Sequence, residues 1–158
     1  MIQLSVSDSR LHCHHPVPGE SWSIAITDIL LIAEFTTDAG PKTDDYFLVF
    51  VTREQGDLYY SNVTMYAAGI DESLTQLENI LGSSLELALH ASTKWNSRVV
   101  WPPELAGSPY FRYEQVIPEG FWDWLRSRVK GKRIQSHVAD PICDYLAAQV
   151  PPQMNQES

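Results

Sequence analysis

Ile29-Leu30-Leu31-Ile32-Ala33-Glu34-Phe35 is apolar at every position but one, and this run decides how the rest of the chain is read. A strand with one face in water alternates apolar and polar residues, whereas a strand covered on both faces need not. Residues 29–35 therefore predict a central strand, with Glu34 as the exception to be explained. The wider apolar stretch, 24–35, holds Asp28 and Glu34 and is too short and too charged to cross a bilayer.

Upstream the pattern changes to half-buried strands. Ile2, Leu4 and Val6 alternate with Gln3, Ser5 and Ser7, and Ser7-Asp8-Ser9 breaks the run as a turn. Residues 10–15 continue extended until Pro16-Val17-Pro18-Gly19, and Trp22, Ile24 and Ile26 resume the alternation. Downstream, the turn-rich stretch from Thr36 to Asp45 leads into a strand at 46–51. The Glu54-Gln55-Gly56-Asp57 turn then opens another at 58–65. Six short strands at hairpin spacing make a sheet-based first half.

The period then becomes helical. Leu74, Leu77, Ile80 and Leu81 predict a helix with Asp71 or Ser73 as N-cap, a Ser73/Gln76 capping box and Gly82 as its stop. A second short helix is expected at 85–91, capped by Ser83 or Ser84, and an extended piece at 98–101, ended by Pro102-Pro103. Residues 102–118 read as a loop and 119–130 as a helix broken by Gly131. Asp140-Pro141 starts a helix to about Gln149, with Ile142, Tyr145 and Leu146 as its apolar stripe. Strands first and helices after is the α+β order. The expectation is one α+β domain over 1–150: a sheet with helices at 1–101, a helical extension at 102–150 packed on it, and a disordered tail at 151–158.

Three segments between Trp22 and Trp101 carry a resemblance. Asp28-Ile29 opens a strand running into Thr36-Thr37-Asp38-Ala39-Gly40-Pro41; Asp45-Tyr46-Phe47 opens the next; and Leu89-His90-Ala91-Ser92-Thr93 is followed by Val99-Val100-Trp101. In these the chain resembles a family of small uncharacterised bacterial proteins. The meander of strands closed by a helix also resembles a pleckstrin-homology-like fold, which implies either a barrel or a strongly bent antiparallel sheet. The family resemblance implies a shape and no chemistry. The His-rich strand at 11–15 and the C-terminal third depart from it.

Charge excludes more than it suggests. The 158 residues hold 20 acidic and 11 basic side chains, a formal net charge of -9. Phosphate recognition needs clustered Lys and Arg, so general nucleic-acid binding is not expected. Cys13 and Cys143 are far apart and in no metal or redox spacing, which predicts two reduced thiols. Residues 1–10 lack an apolar signal core, and a cytoplasmic location without membrane insertion is expected.

Four groups of residues could carry chemistry or binding. His12-Cys13-His14-His15 offers good ligands for zinc or copper, but strand alternation puts His12 and His14 on one face and Cys13 and His15 on the other. A metal site on His12 and His14 would need His90 or His137 to complete it. Asp38, Asp44 and Asp45 could approach one another in the 36–45 loop, although Asp also serves turns for backbone reasons. Ser92-Thr93-Lys94 near His90 lacks any nucleophile motif. Residues 121–133 hold Arg126, Arg128, Lys130, Lys132 and Arg133 with Trp122 and Trp124, a basic amphipathic pattern. Cations near a helix C-terminus complement its dipole, and Trp and Arg dominate binding hot spots.

No catalytic set and no cofactor is expected. The leading reading is a non-catalytic protein-interaction module of accessory or immunity type, with Trp122, Arg126 and Lys130, or Asp38, Asp44 and Asp45, facing another protein. The alternatives are a metal-binding protein or metal-dependent enzyme using His12 and His14, and a small-ligand or lipid binder by fold analogy. Association with its own copies, as a homo-oligomer, is a further option.

Overall fold

A computed structural model describes residues 1–39, 43–115 and 134–149. The predicted 119–130 helix, the tail at 151–158 and the partner residues Trp122, Arg126 and Lys130 lie outside the described residues.

The chain is α+β. Its first sheet holds β1 (Gln3–Ser7), β2 (Arg10–His14) and β3 (Trp22–Ala25), antiparallel in that order. The β1–β2 hairpin turns at Asp8 and Ser9, both at positive φ, which matches the twist of the strands they join. A 3-10 turn, Ile26–Asp28, then carries the chain out of this sheet. Four strands form the central sheet: β4 (Ile29–Thr36), β5 (Tyr46–Glu54), β6 (Asp57–Thr64) and β7 (Asn96–Trp101), in the order β6-β5-β4-β7. Helix α1 (Ile70–Leu81) links β6 to β7, and α2 (Asp140–Gln149) follows a two-stranded pair, β8 (Phe111–Gln115) and β9 (Ile134–Val138).

The two-sided reading of 29–35 holds. On one face of the central sheet Ile32, Leu48, Phe50, Val63 and Val100 pack against Leu4, Leu11 and Ile24 of the first sheet and Ile70, Leu74 and Leu77 of α1. On the other, Leu31, Ala33, Val49, Val51 and Val99 pack against Tyr110 and against Ile142 and Leu146 of α2. Full burial of each large aliphatic side chain here stabilises by about 1.5–3 kcal/mol. The central sheet is therefore a middle layer.

Three expectations need correction. No closed barrel forms among the described residues, because the chain changes sheets at the 3-10 turn and the backbone pairing of β1 beyond its own sheet is a single bridge from Gln3 to Ala68. The extension is not simply helical: β8 and β9 pair in it, and its described part packs on the sheet as α2. Residues 85–91 are not a helix. Their amides are taken elsewhere, with Leu85 N donating to Glu78 Oε1 at 2.7 Å and Ala88 N and Leu89 N donating to Glu34.

The start of α1 also differs from the predicted capping box. The helix begins at Ile70, and its N-cap is Gly69 at φ 77 with no side-chain cap. A Cβ there would sit 2.5 Å from the Leu4 carbonyl oxygen, so close approach to β1 requires glycine. Ser73 is buried inside the first turns, and Gln76 bonds Glu72. Gly82 ends the helix in the left-handed conformation as predicted.

Candidate functional site

Two places gather polar groups. The first surrounds Glu34, fully buried in β4. The register puts Glu34 opposite Leu48 on one side and Arg98 on the other, on the face shared with Tyr46. Its carboxylate accepts bonds from the Tyr46 hydroxyl, from Ala88 N at 2.9 Å, from Leu89 N at 3.3 Å and from Arg98 Nη1 at 3.2 Å. Arg98 Nη1 also donates to the Glu86 carbonyl at 2.5 Å. Thr36 extends the arrangement by donating to the Lys94 carbonyl at 2.7 Å. Burial, then the bond to Glu34, pushes the Tyr46 hydroxyl far above the ordinary tyrosine range.

A general base must reach the proton it removes. Glu34 is saturated by donors from the protein itself and has no exposure. The cluster is a clamp that fastens the 85–95 crossover onto the sheet face where α1 ends. A buried carboxylate is affordable only with such partners.

The second place is the edge of the central sheet at β6. The bond from Met65 N to the Tyr46 carbonyl, 2.9 Å, fixes which residues of β6 bond to β5. By the antiparallel alternation, the backbone groups of Leu58, Tyr60 and Asn62 point away from β5. The indole of Trp22 donates to the Asn62 carbonyl at 3.1 Å. Among the described residues no other hydrogen bond reaches these outward groups of Leu58, Tyr60 and Asn62. Tyr59, Tyr60 and Tyr66 stand 49%, 52% and 62% exposed along it, on both faces of the strand and in the turn that follows.

A groove of about 560 Å³ runs over this edge. Cys13, His15, Glu20 and Trp22 line one wall, Ser61, Asn62 and Val63 the strand itself, and Asp44 one end. Trp22 is held from below by Phe50, with ring centroids 5.9 Å apart. Burial raises the Cys13 thiol above its usual range, so it stays a thiol at neutral pH and a poor nucleophile. The Val17 amide donates to His15 Nδ1 at 3.1 Å, which orients the ring.

The predicted site residues separate. His12 and His14 do share the face opposite Cys13, but their cross-strand neighbours are Ser5, Ser23 and Gln3, which bring no further ligand. Among the described residues no three His, Cys, Asp or Glu side chains come together as a metal site. Of the loop carboxylates, Asp38 is exposed, Asp44 lines the groove, and Asp45 accepts the Tyr66 hydroxyl at 2.8 Å. That bond is the main cause of a raised Tyr66 pKa. Both cysteines are unpaired. Among the described residues no helix is long and apolar enough to cross a membrane.

Sequence reasoning missed the β6 edge, with Trp22, Glu20, Tyr60 and Asn62. One signal was present. Residues 57–64, Asp-Leu-Tyr-Tyr-Ser-Asn-Val-Thr, are more polar than their hairpin partner at 47–54, whose first five positions, Phe-Leu-Val-Phe-Val, are all apolar, as suits a sheet edge. No family model, no curated protein and no solved structure matches this chain.

Proposed function

We propose that this protein is a non-catalytic protein-interaction module, an accessory protein whose binding surface is the β6 edge. The observation that carries the reading is that edge: an eight-residue strand, paired on one side only among the described residues and flanked by Tyr59, Tyr60 and Tyr66. Natural sheets usually blunt or cover their edges, because open backbone groups invite another chain. Tyrosine offers a large apolar body with a polar tip and is enriched where partners bind. Asp44 and Asp45 belong to the same end of the surface, which fits their proposed partner-facing role. The exposed thiol of Cys143 and the unpaired Cys13 suit a reducing, cytoplasmic compartment.

Affinity purification of the tagged chain from its source cells tests the reading, with a Tyr59→Ser/Tyr60→Ser double variant beside it. A stoichiometric protein recovered by the parent chain and lost by the variant supports the module. Recovery of nothing specific, or equal recovery by both, sinks it.

A further inference from the structure

We propose that the groove over β6 receives an extended, basic segment of a partner protein, which adds to β6 as a fifth strand of the central sheet. This deepens the interaction-module reading and rests on it. Two independent features specify the occupant.

The backbone specifies an extended chain. Leu58, Tyr60 and Asn62 turn their N–H and C=O groups out of the sheet, spaced as an added strand requires. Only the Asn62 carbonyl has a bond among the described residues, and its donor is a side chain, Trp22 Nε1. The indole N–H supplies what the backbone N–H of an incoming strand would supply. Trp22 thus blunts the edge in the unbound protein and yields one acceptor on binding.

The charges specify its sign. The described lining of the groove holds two carboxylates, Glu20 and Asp44, and neither Lys nor Arg. Asp45 lies beside Asp44 and is bonded by Tyr66. A second copy carries the same net charge of -9, which opposes association of two copies overall, whereas Lys or Arg side chains on alternate positions of a partner strand would meet Glu20 and Asp44.

The probe is a synthetic peptide of alternating Lys and Val, matched to the 8 residues of β6, titrated calorimetrically into the full chain. The Glu-Val peptide serves as its opposite. The Lys-Val peptide binds, its affinity falls with added salt, and the β6 amides gain protection from hydrogen exchange; the Glu-Val peptide does not bind. Tyr60→Pro removes one outward N–H and weakens binding about tenfold, with the melting temperature as the check on folding. Should that variant fail to fold, Leu58→Pro removes another outward N–H. Glu20→Gln with Asp44→Asn weakens binding and flattens its salt dependence.

Equal binding of both peptides, or undiminished binding to folded Tyr60→Pro or Leu58→Pro, overturns the proposal. So does a dimer in sedimentation that Tyr60→Pro dissolves while neither peptide binds, because the groove then belongs to a second copy. If the Lys-Val peptide fails but the Tyr59→Ser/Tyr60→Ser variant still loses a co-purified protein, the partner class is wrong and the interaction module stands. If neither behaves as stated, both fall.

Discussion

Strands β4 and β6 belong to one sheet and are two positions apart, yet they solve opposite problems. β4 is paired on both sides and covered on both faces, and its one charged residue, Glu34, is bonded by four donors. Among the described residues β6 is paired on one side only, with tyrosines in water and a side-chain indole standing in at one backbone acceptor. The lesson is where polar groups end up satisfied. In the middle of the sheet the protein supplies every partner of the Glu34 carboxylate itself, and the result is stability. At the edge no partner for the outward backbone groups of Leu58 and Tyr60 lies among the described residues, and on that the proposed docking of another chain rests.

The contrast can be broken most directly at Glu34. Glu34→Ala leaves the amides of Ala88 and Leu89, the Tyr46 hydroxyl and Arg98 without their acceptor, and removing one member of a buried pair costs about 3–5 kcal/mol. Arg98 keeps 24% side-chain exposure and can turn to water, which places the expected loss toward the lower end. Urea unfolding measures it; a loss under about 1 kcal/mol would mean that the clamp is dispensable.

Tyr46→Phe should cost less, about 1–3 kcal/mol, because it removes a single donor to a charged acceptor. A double-mutant cycle with Glu34→Ala should show strong coupling between the two positions. Additive losses would separate the hydroxyl from the clamp.

Alkali probes the same interior without mutation. Burial holds the hydroxyls of Tyr46 and Tyr110 protonated well beyond the ordinary range near 10. Above about pH 10 the unfolded chain sheds these protons and the folded one retains them, so stability is unaffected below that pH and declines above it. Tyrosinate absorbance from these two residues should rise together with loss of circular dichroism. A full tyrosinate signal from a still-folded protein would contradict the burial.

The smallest effect is expected at the edge. Trp22→Phe keeps a ring against Phe50 but gives up the bond to the Asn62 carbonyl. It should leave unfolding nearly unchanged and tighten the Lys-Val peptide by about threefold, since the competing donor is worth about 0.5–1 kcal/mol. Weaker binding would instead make the indole part of the docking surface.

Much of the fold was legible because burial leaves a periodic trace. Residues 29–35 lack alternation, and they are the strand covered on both faces; 2–6 alternate, and they are half-buried. Gly82 and the Asp140-Pro141 pair marked the end of α1 and the start of α2, since both signals are local backbone requirements. Residues 85–91 permit a helix by themselves, and what draws the Ala88 and Leu89 amides out of one is Glu34, more than fifty positions away in sequence. The start of α1 was misplaced for a similar reason: a serine in plausible cap spacing counted for more than a glycine whose role depends on β1. Of the candidate site, Asp44 and Asp45 are legible in the sequence as loop carboxylates, whereas their place beside β6 depends on strand pairing.

The sequence by itself determined the elements whose causes are local: strand periodicity, tight turns, helix stops, and an acidic surface without a phosphate-binding or nucleophile motif. Only the tertiary structure decided which strand lies at the edge, which donors saturate Glu34, and that Trp22 reaches the Asn62 carbonyl forty residues further on. Pairing order and side-chain capture are contacts between distant positions. Their free energy depends on what the folded chain brings within about 3 Å, and no local pattern of residues encodes that.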